Sequence, residues 1–236
     1  MAGRSSSSGS KLRFLTDREF EEEAALLLAE YERFGVSVTV PPIPIDDIIE
    51  EYLKIAIEFR DLRMEYPEGD VLGAIYFNEK KIAVDNRLVP EDFPAMRGRY
   101  RFTLAHELGH WRLHRHLYLR RPDERELFSG IPPKPDLVLR SRHSDPKEFQ
   151  ANRFASCVLM PLEMVRHAWR EWRGELEPIY LPDLRADAGS EGTDEIVLEN
   201  AMRPLAATFH VSPEAMRIRA EGMRMLLRKR ETSLFD

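Results

Sequence analysis

His106 and His110 stand four residues apart in the segment HELGH, and this spacing constrains the fold more than any other feature of the chain. On an α-helix, residues four apart are separated by about 400° of rotation and about 6 Å of rise, so both imidazoles project from one face toward a common point. A zinc ion at about 2.0–2.1 Å from one nitrogen of each ring fits between them. The segment therefore predicts a helix that carries a metal site.

The residues around the two histidines agree with a buried helix. Leu104, Leu108 and Trp111 form an apolar stripe on the opposite face, and the small residues Ala105 and Gly109 flank the histidine face. Polar side chains inside such a helix need partners, because burying an unpaired polar group is costly. A bound metal ion supplies that partner, whereas an H-E-x-x-H pattern that arises by chance needs none.

Glu107 completes the H-E-x-x-H pattern, in which the glutamate acts as general base of a zinc peptidase. It lies to the side of the line that joins the two histidines. From there its carboxylate reaches a water molecule on the metal without binding the metal. We therefore predict that Glu107 takes a proton from this water and passes it to the leaving amine.

A zinc peptidase needs a third protein ligand and one open position. The metzincin pattern has glycine at the position of Leu113, so a third histidine ligand of the metzincin type is not expected. Glu148 opens a predicted helix, and Asn152 lies one turn later on the same face, placed to hydrogen-bond a ligating histidine. Glu148 equally suits the role of a capping carboxylate in a helix that begins at Asp145. The spacing leaves four further candidates for the third ligand: His143, Asp145, Glu124 and Glu126.

Two more histidines follow the motif. His114 is eight residues beyond His106, about 12 Å along a straight helix, and therefore cannot share an ion with both motif histidines. We interpret it as a packing residue or as a hydrogen-bond partner of a ligand. We expect His116 to lie beyond the end of the helix.

The rest of the chain divides by composition into a flexible tail (1–12), a core (13–181), a polar linker (182–194) and a C-terminal helical segment (195–236). A capping box at Thr16 opens a helix that runs to about Arg33. The expected core elements are a helix at about 46–53, strands near 55–59, 72–77 and 81–85, the H-E-x-x-H helix at about 95–113, a long loop at 117–143 and a helix from Asp145. This order predicts an α+β fold with a small antiparallel sheet, whose edge strand near 73–77 is expected to hold substrate backbone.

Composition indicates a globular protein in a reducing compartment. Hydrophobic residues make up 43% of the 236 residues and the net charge is −6, which does not suit a general nucleic-acid binder. Cys157 is the only cysteine, so no intramolecular disulfide is possible, and its apolar neighbours suggest a buried side chain. The sequence shows no signal peptide and no apolar run of about 18 residues, so we expect a cytoplasmic protein without a membrane segment.

Several of these segments together resemble the ImmA/IrrE family of metallopeptidases. The resemblance lies in residues 101–111 (RFTLAHELGHW), 148–155 (EFQANRFA) with the following Leu159-Met160-Pro161, the hairpin 73–86, and 205–212 (LAATFHVS). It implies a zincin-like fold with Glu148 as the third zinc ligand. It also implies a protein substrate, a helix-turn-helix transcriptional repressor, whose cleavage relieves repression in a stress response or a mobile element.

The C-terminal segment permits a different function. A helix at 201–209, a turn at 210–211 and a helix from Ser212 to about Arg230 resemble a helix-turn-helix. Six basic residues follow Ser212 (Arg217, Arg219, Arg224, Arg228, Lys229, Arg230), as a DNA-recognition helix requires. The alternative is therefore a DNA-binding regulator with a structural or sensory metal site. We favour a helical pair that packs on the peptidase, because the whole chain is acidic; the oligomeric state is not predicted.

Overall fold

Helices pack around a four-stranded sheet and a two-stranded sheet in the computed structural model, which describes residues 12–67, 69–119, 137–138, 145–188 and 192–230. The α+β prediction is confirmed. The helices are α1 (Asp17–Arg33), α2 (Ile45–Asp47, continued by a π-helical turn, Ile48–Tyr52), α3 (Leu62–Glu65), α4 (Arg97–Tyr118), α5 (Pro146–Leu159), α6 (Leu162–Arg173), α7 (Leu181–Ala188), α8 (Asp194–Phe209) and α9 (Pro213–Gly222). The strands are β1 (Ala56–Arg60), β2 (Gly73–Tyr76), β3 (Lys81–Asp85), β4 (Leu137–Val138), β5 (Ile179–Tyr180) and β6 (Leu226–Leu227).

Helix α1 begins at the predicted capping box. The Thr16 hydroxyl accepts a hydrogen bond from the Glu19 backbone N–H at 3.3 Å, and the Glu19 carboxylate accepts one from the Thr16 backbone N–H at 2.8 Å. These reciprocal bonds satisfy two of the free donors at the helix start. The buried face of α1 packs against α5.

The four-stranded sheet has the order β1-β3-β2-β4. β2 and β3 form the predicted antiparallel hairpin, but β1 pairs with β3 in parallel, so the prediction of a purely antiparallel sheet is wrong. Alternating apolar residues reveal a strand without revealing the direction of its partner. β2 is also not an edge strand, because its free side pairs with β4.

Helix α4 crosses beneath β2 and carries the H-E-x-x-H segment in its middle. Leu104, Leu108 and Trp111 are buried, as the apolar stripe predicts. The helix runs five residues beyond its predicted end, so the placement of His116 after the helix is wrong. No glycine or proline lies between Gly109 and Tyr118, and nothing in that stretch stops a helix.

The C-terminal segment forms two helices, α8 and α9, joined by a turn in which His210 adopts a left-handed conformation with φ 52°. α9 ends at Gly222 and Arg224 has φ 59°, so the predicted continuation to Arg230 is wrong. The chain instead forms β6, which pairs with β5. The first part of the predicted linker is the helix α7, and the domain division itself stays a prediction.

Two buried arginines of α9 form hydrogen bonds and ion pairs with other parts of the protein. Arg219 is fully buried, where its side chain donates to the Met160 carbonyl at 2.9 Å and to the Glu21 carboxylate on α1. Arg217 pairs with Glu199 and Glu221. These contacts favour packing on the core over a DNA-facing role, and a helix-turn-helix is not confirmed. Across the described residues, no helix combines the length and apolar character that crossing a bilayer would need.

Candidate metal centre

A close approach of α4 and α5 brings the predicted site together. Gly109 allows this approach, since a Cβ at that position would lie 3.0 Å from both the Cα and the carbonyl oxygen of Ala151. The two motif histidines on α4 and Glu148 on α5 face each other across this contact. The glycine of the H-E-x-x-H segment therefore positions the third candidate ligand.

His106, His110 and Glu148 form a compact buried cluster. The two Nε2 atoms are 3.0 Å apart, and the Glu148 carboxylate oxygens lie 3.1 Å from the Nε2 of His106 and 3.3 Å from that of His110. Ligands about 2.05 Å from a tetrahedral ion are about 3.3 Å from one another, which is close to these separations. Two imidazoles and one carboxylate are also a donor set typical of catalytic zinc. The cluster therefore fits a metal ion.

Burial and mutual contact hold these groups in the forms that bind metals. Burial lowers the pKa of His110 to about 4, which leaves its imidazole neutral at pH 7. Burial alone would raise the pKa of Glu148, but its close contacts with the imidazoles of His106 and His110 outweigh burial and lower the pKa to about 2. A neutral imidazole and an ionised carboxylate both offer free lone pairs to a cation.

Each histidine of the cluster has a polar neighbour behind it. The Nδ1 atom of His106 is 2.8 Å from the Oδ1 atom of Asn152, the contact expected from the sequence. The Nδ1 atom of His110 is 3.0 Å from that of His114, which is fully buried. His114 thus lies where a hydrogen-bond partner of a ligand belongs, and both ring orientations are fixed from outside the cluster.

Glu107 is fully buried, yet neither of its carboxylate oxygens makes a hydrogen bond to any residue that the structure describes. Burial, followed by the nearby charge of Glu148, raises the pKa of Glu107 well above its usual value. Strand β2 provides the space for this side chain, since a Cβ on Gly73 would lie 2.6 Å from its Oε1 atom. The sequence pattern places Gly73 in a hairpin strand but does not indicate that it makes room for Glu107.

The structure distinguishes Glu148 from Asp145 among the candidates for the third metal ligand. Asp145 caps α5 by accepting a hydrogen bond from the Lys147 backbone N–H at 2.8 Å, with Pro146 in the first turn. The Glu148 side chain is turned toward the histidines. The other candidates, His143, Glu124 and Glu126, lie outside the described residues, as does most of the predicted loop at 117–143 and the tail before Leu12.

Cys157 offers no alternative chemistry. It is fully buried in α5, as predicted, and burial raises the pKa of its thiol to about 11. A thiol with so high a pKa contains little of the thiolate that acts as nucleophile or ligand at neutral pH. Among the side chains of α4 and α5, the candidates for metal binding are therefore His106, His110 and Glu148, and not Cys157.

Residues 94–221 match the peptidase M78 family, described as the IrrE N-terminal-like domain. This match covers more than half of the 236 residues and includes α4, α5 and the whole cluster. The chain belongs to the peptidase M78 family. Membership confirms the resemblance seen in the sequence and points to a metallopeptidase, for which the buried cluster is the compatible metal site. No curated protein matches this member of the family.

Proposed function

We propose that this peptidase M78 protein is a zinc-dependent endopeptidase. In this proposal His106, His110 and Glu148 hold the zinc ion, Glu107 is the general base, and Asn152 orients His106. The observation that carries the proposal is a buried carboxylate, Glu107, which has no hydrogen-bond partner among the described residues and lies beside a buried cluster of three side chains that could hold a metal ion. A purely structural site would leave no reason to bury such a carboxylate, since the cost is high.

The zinc ion, when bound, supplies a Lewis acid that polarises the scissile carbonyl and acidifies water. The protein supplies the proton transfers. Glu107 accepts a proton from the attacking water and delivers it to the leaving amine. Because its surroundings raise its pKa well above the usual value, the carboxyl group holds the proton between these two steps more readily than an exposed glutamate does.

The substrate class in the proposal is a helix-turn-helix transcriptional repressor, whose cleavage relieves repression. This part is supported by the family resemblance and by a site that is suited to peptide-bond hydrolysis. Because β2 pairs with β4 on its outer side, a substrate strand added directly to β2 would have to replace β4. We therefore do not place the substrate backbone on β2.

The test is incubation of the zinc-loaded protein with the helix-turn-helix repressor encoded beside its gene, followed by gel electrophoresis. We expect discrete fragments with the wild-type protein and an intact repressor with Glu107→Gln. An intact repressor in both reactions contradicts the proposed substrate. Fragments in both reactions contradict the role of Glu107, or reveal a contaminating protease that persists after addition of a chelator.

A further inference from the structure

A chain of hydrogen bonds connects the metal centre to the backbone that precedes α1. The Gln150 side-chain NH₂ donates to the Arg13 carbonyl oxygen at 2.7 Å. The Oε1 atom of Gln150 is 2.9 Å from the Nε2 atom of His114, and the Nδ1 atom of His114 is 3.0 Å from that of His110. The side chains of Gln150, His114 and His110 are all buried, so this chain is shielded from water.

The donor and the acceptor of each hydrogen bond in this chain follow from the first bond, between Gln150 and the Arg13 carbonyl. A backbone carbonyl only accepts, so Gln150 must present its NH₂ group to Arg13 and its oxygen to His114. That oxygen requires a hydrogen on the Nε2 atom of His114, and the Nδ1 atom of His114 then accepts from the Nδ1–H of His110. The Nε2 atom of His110 is therefore the ring nitrogen left to face the cluster.

The same result holds for the second histidine of the cluster. The Oδ1 atom of Asn152 accepts from the Nδ1 atom of His106, so the Nε2 atom of His106 is likewise the ring nitrogen left to face the cluster. The two Nε2 atoms lie 3.0 Å apart and face the carboxylate of Glu148. Because both Nδ1 atoms are engaged outside the cluster, the Nε2 atoms are the nitrogens that these outer bonds present to a metal ion.

We propose that His114 and Gln150 are positioning residues, which transmit the fixed direction of the Arg13 carbonyl to His110 and hold its Nε2 atom ready for the metal. The inference rests on the proposed function. It makes the N-terminal segment part of the metal centre, although Arg13 lies outside the matched residues 94–221.

Ion pairs between α1 and the helices of the site hold this segment in place. Arg112 on α4 pairs with Glu23 at 3.1 Å and with Glu30 at 2.7 Å. Arg153 on α5 pairs with Asp17 at 2.9 Å. The Arg13 carbonyl therefore lies just before a helix that is tied to both α4 and α5, which supports its position beside Gln150.

The first test needs no variant and no metal. In long-range ¹H–¹⁵N NMR spectra of the metal-free wild-type protein, we expect His110 and His106 as Nδ1–H tautomers and His114 as the Nε2–H tautomer. Assignment of His110 without a hydrogen on Nδ1, or of His114 without a hydrogen on Nε2, would overturn the proposal. This readout is independent of proteolysis.

The second test measures zinc affinity by competition with a chelator. His114→Leu removes the acceptor for His110, whereas the similarly sized His114→Asn keeps an oxygen near the position of Nδ1. We expect about 10–100-fold weaker binding for the leucine variant, the range known for residues that support a metal ligand, and near wild-type binding for the asparagine variant. Equal affinities for His114→Leu and the wild-type protein would contradict the inference.

A second matched pair of variants keeps the inference testable if the position-114 variants misfold. Gln150→Leu removes the oxygen that faces His114, and Gln150→Glu keeps one. We expect only the leucine variant to lose the Nε2–H tautomer of His114 in the NMR spectra; its retention in both would overturn the proposed role of Gln150. Failure of the wild-type protein to bind zinc would contradict the proposed function, while the NMR spectra would still decide the tautomers.

Discussion

Glu107 and Glu148 are two buried carboxylates with opposite surroundings. Glu148 contacts two imidazoles and its pKa falls to about 2, whereas Glu107 has no hydrogen-bond partner among the described residues and its pKa is raised. A pair of carboxyl groups whose surroundings separate their pKa values in this way is suited to two different tasks. At the scale of single residues, one group is prepared to bind a cation and the other to exchange a proton.

Replacement of Glu107 by glutamine tests the proton-transfer role. The amide has nearly the same shape but cannot accept a proton from water, so we expect a folded protein with full zinc content. Peptidase activity should fall by at least the roughly 10²–10⁴-fold attributed to a general base. Metal analysis and a cleavage assay on the same sample measure both quantities. Cleavage at near wild-type rate would remove Glu107 from the mechanism.

Replacement of Glu148 by alanine separates a metal ligand from a helix cap. Loss of a cap costs about 1 kcal/mol of stability and leaves metal binding alone. Loss of a ligand should weaken zinc binding well beyond the 10–100-fold expected for Asn152→Ala, which only removes the support of His106. Chelator competition ranks the three proteins. A Glu148→Ala variant that holds zinc like the wild type, and only melts slightly lower, would support the capping role.

Much of this site was predictable because its residues follow from helix geometry. The i, i+4 spacing of His106 and His110, and of Glu148 and Asn152, places each pair on one face. Spacing says nothing about which residues of distant segments meet. The contact of Gly73 with Glu107 and the link from Gln150 to the Arg13 carbonyl depend on tertiary packing, and sequence reasoning missed both.

At the scale of elements, the packing of β2 on α4 sets the space around Glu107. β2 approaches α4 so closely that Gly73 leaves no room for a Cβ, which would lie 2.6 Å from the Oε1 atom of Glu107 and 2.7 Å from the Cγ2 atom of Thr103. Atoms at these distances overlap, so any larger residue must displace the strand or the carboxylate. The strand therefore limits where the Glu107 carboxylate, the proposed general base, can lie.

We expect Gly73→Ala to reduce activity more than metal binding. Overpacking of this kind costs about 1–3 kcal/mol of stability, and a displacement of about 1 Å at a reacting group lowers rates by about 10²-fold. Zinc content should remain full, because the atoms nearest to a Cβ on Gly73 belong to Glu107 and Thr103 and not to the three metal-binding side chains. Kinetics and metal analysis of the variant decide this.

Gly69→Ala is the matched control. A Cβ at Gly69 would make an ordinary contact of 3.6 Å with Val71, so this variant should keep wild-type activity. If both variants lost activity equally, the effect of Gly73→Ala would not come from its contact with Glu107. Full activity of Gly73→Ala would show that β2 can move without disturbing the carboxylate.

The elements that sequence predicted best carry local signals, and those it missed depend on distant partners. α1 has a capping box and the β2–β3 hairpin has a short turn, and both were found. The parallel pairing of β1 and the two-residue strand β6 have no local signature. At α9, the sequence predicted a helix that continues to about Arg230, although Gly222 marks its end.

At the scale of the whole molecule, Arg219 connects the C-terminal pair with the N-terminal helix and the end of α5. We expect Arg219→Ala to destabilise the protein by about 3 kcal/mol, because it removes a fully buried side chain and leaves the partly buried Glu21 and the Met160 carbonyl without this partner. Urea unfolding measures the change. Arg230→Ala removes an exposed pair with Asp183, which solvent screens, and should leave stability nearly unchanged. Equal effects would show that the C-terminal pair is not anchored through Arg219.

Metal removal is expected to destabilise the entire domain, because the cluster joins α4 to α5 at the centre of the fold. A ligand that binds only the folded state stabilises it by about 2.7 kcal/mol at 100 times its dissociation constant. For a chain of this size, 1 kcal/mol shifts Tm by about 2–4 °C, so zinc at that concentration should raise Tm by roughly 5–11 °C over the chelated protein.

The variant Glu148→Ala provides the reference for this measurement. Its Tm should hardly change between zinc and chelator, since the cation has lost a ligand, whereas Asn152→Ala should retain a reduced shift. Differential scanning calorimetry of the three proteins at one zinc concentration gives the comparison. A zinc-dependent Tm shift of equal size in Glu148→Ala would mean that the ion binds elsewhere on the folded chain, and the cluster would lose its assignment as the metal centre.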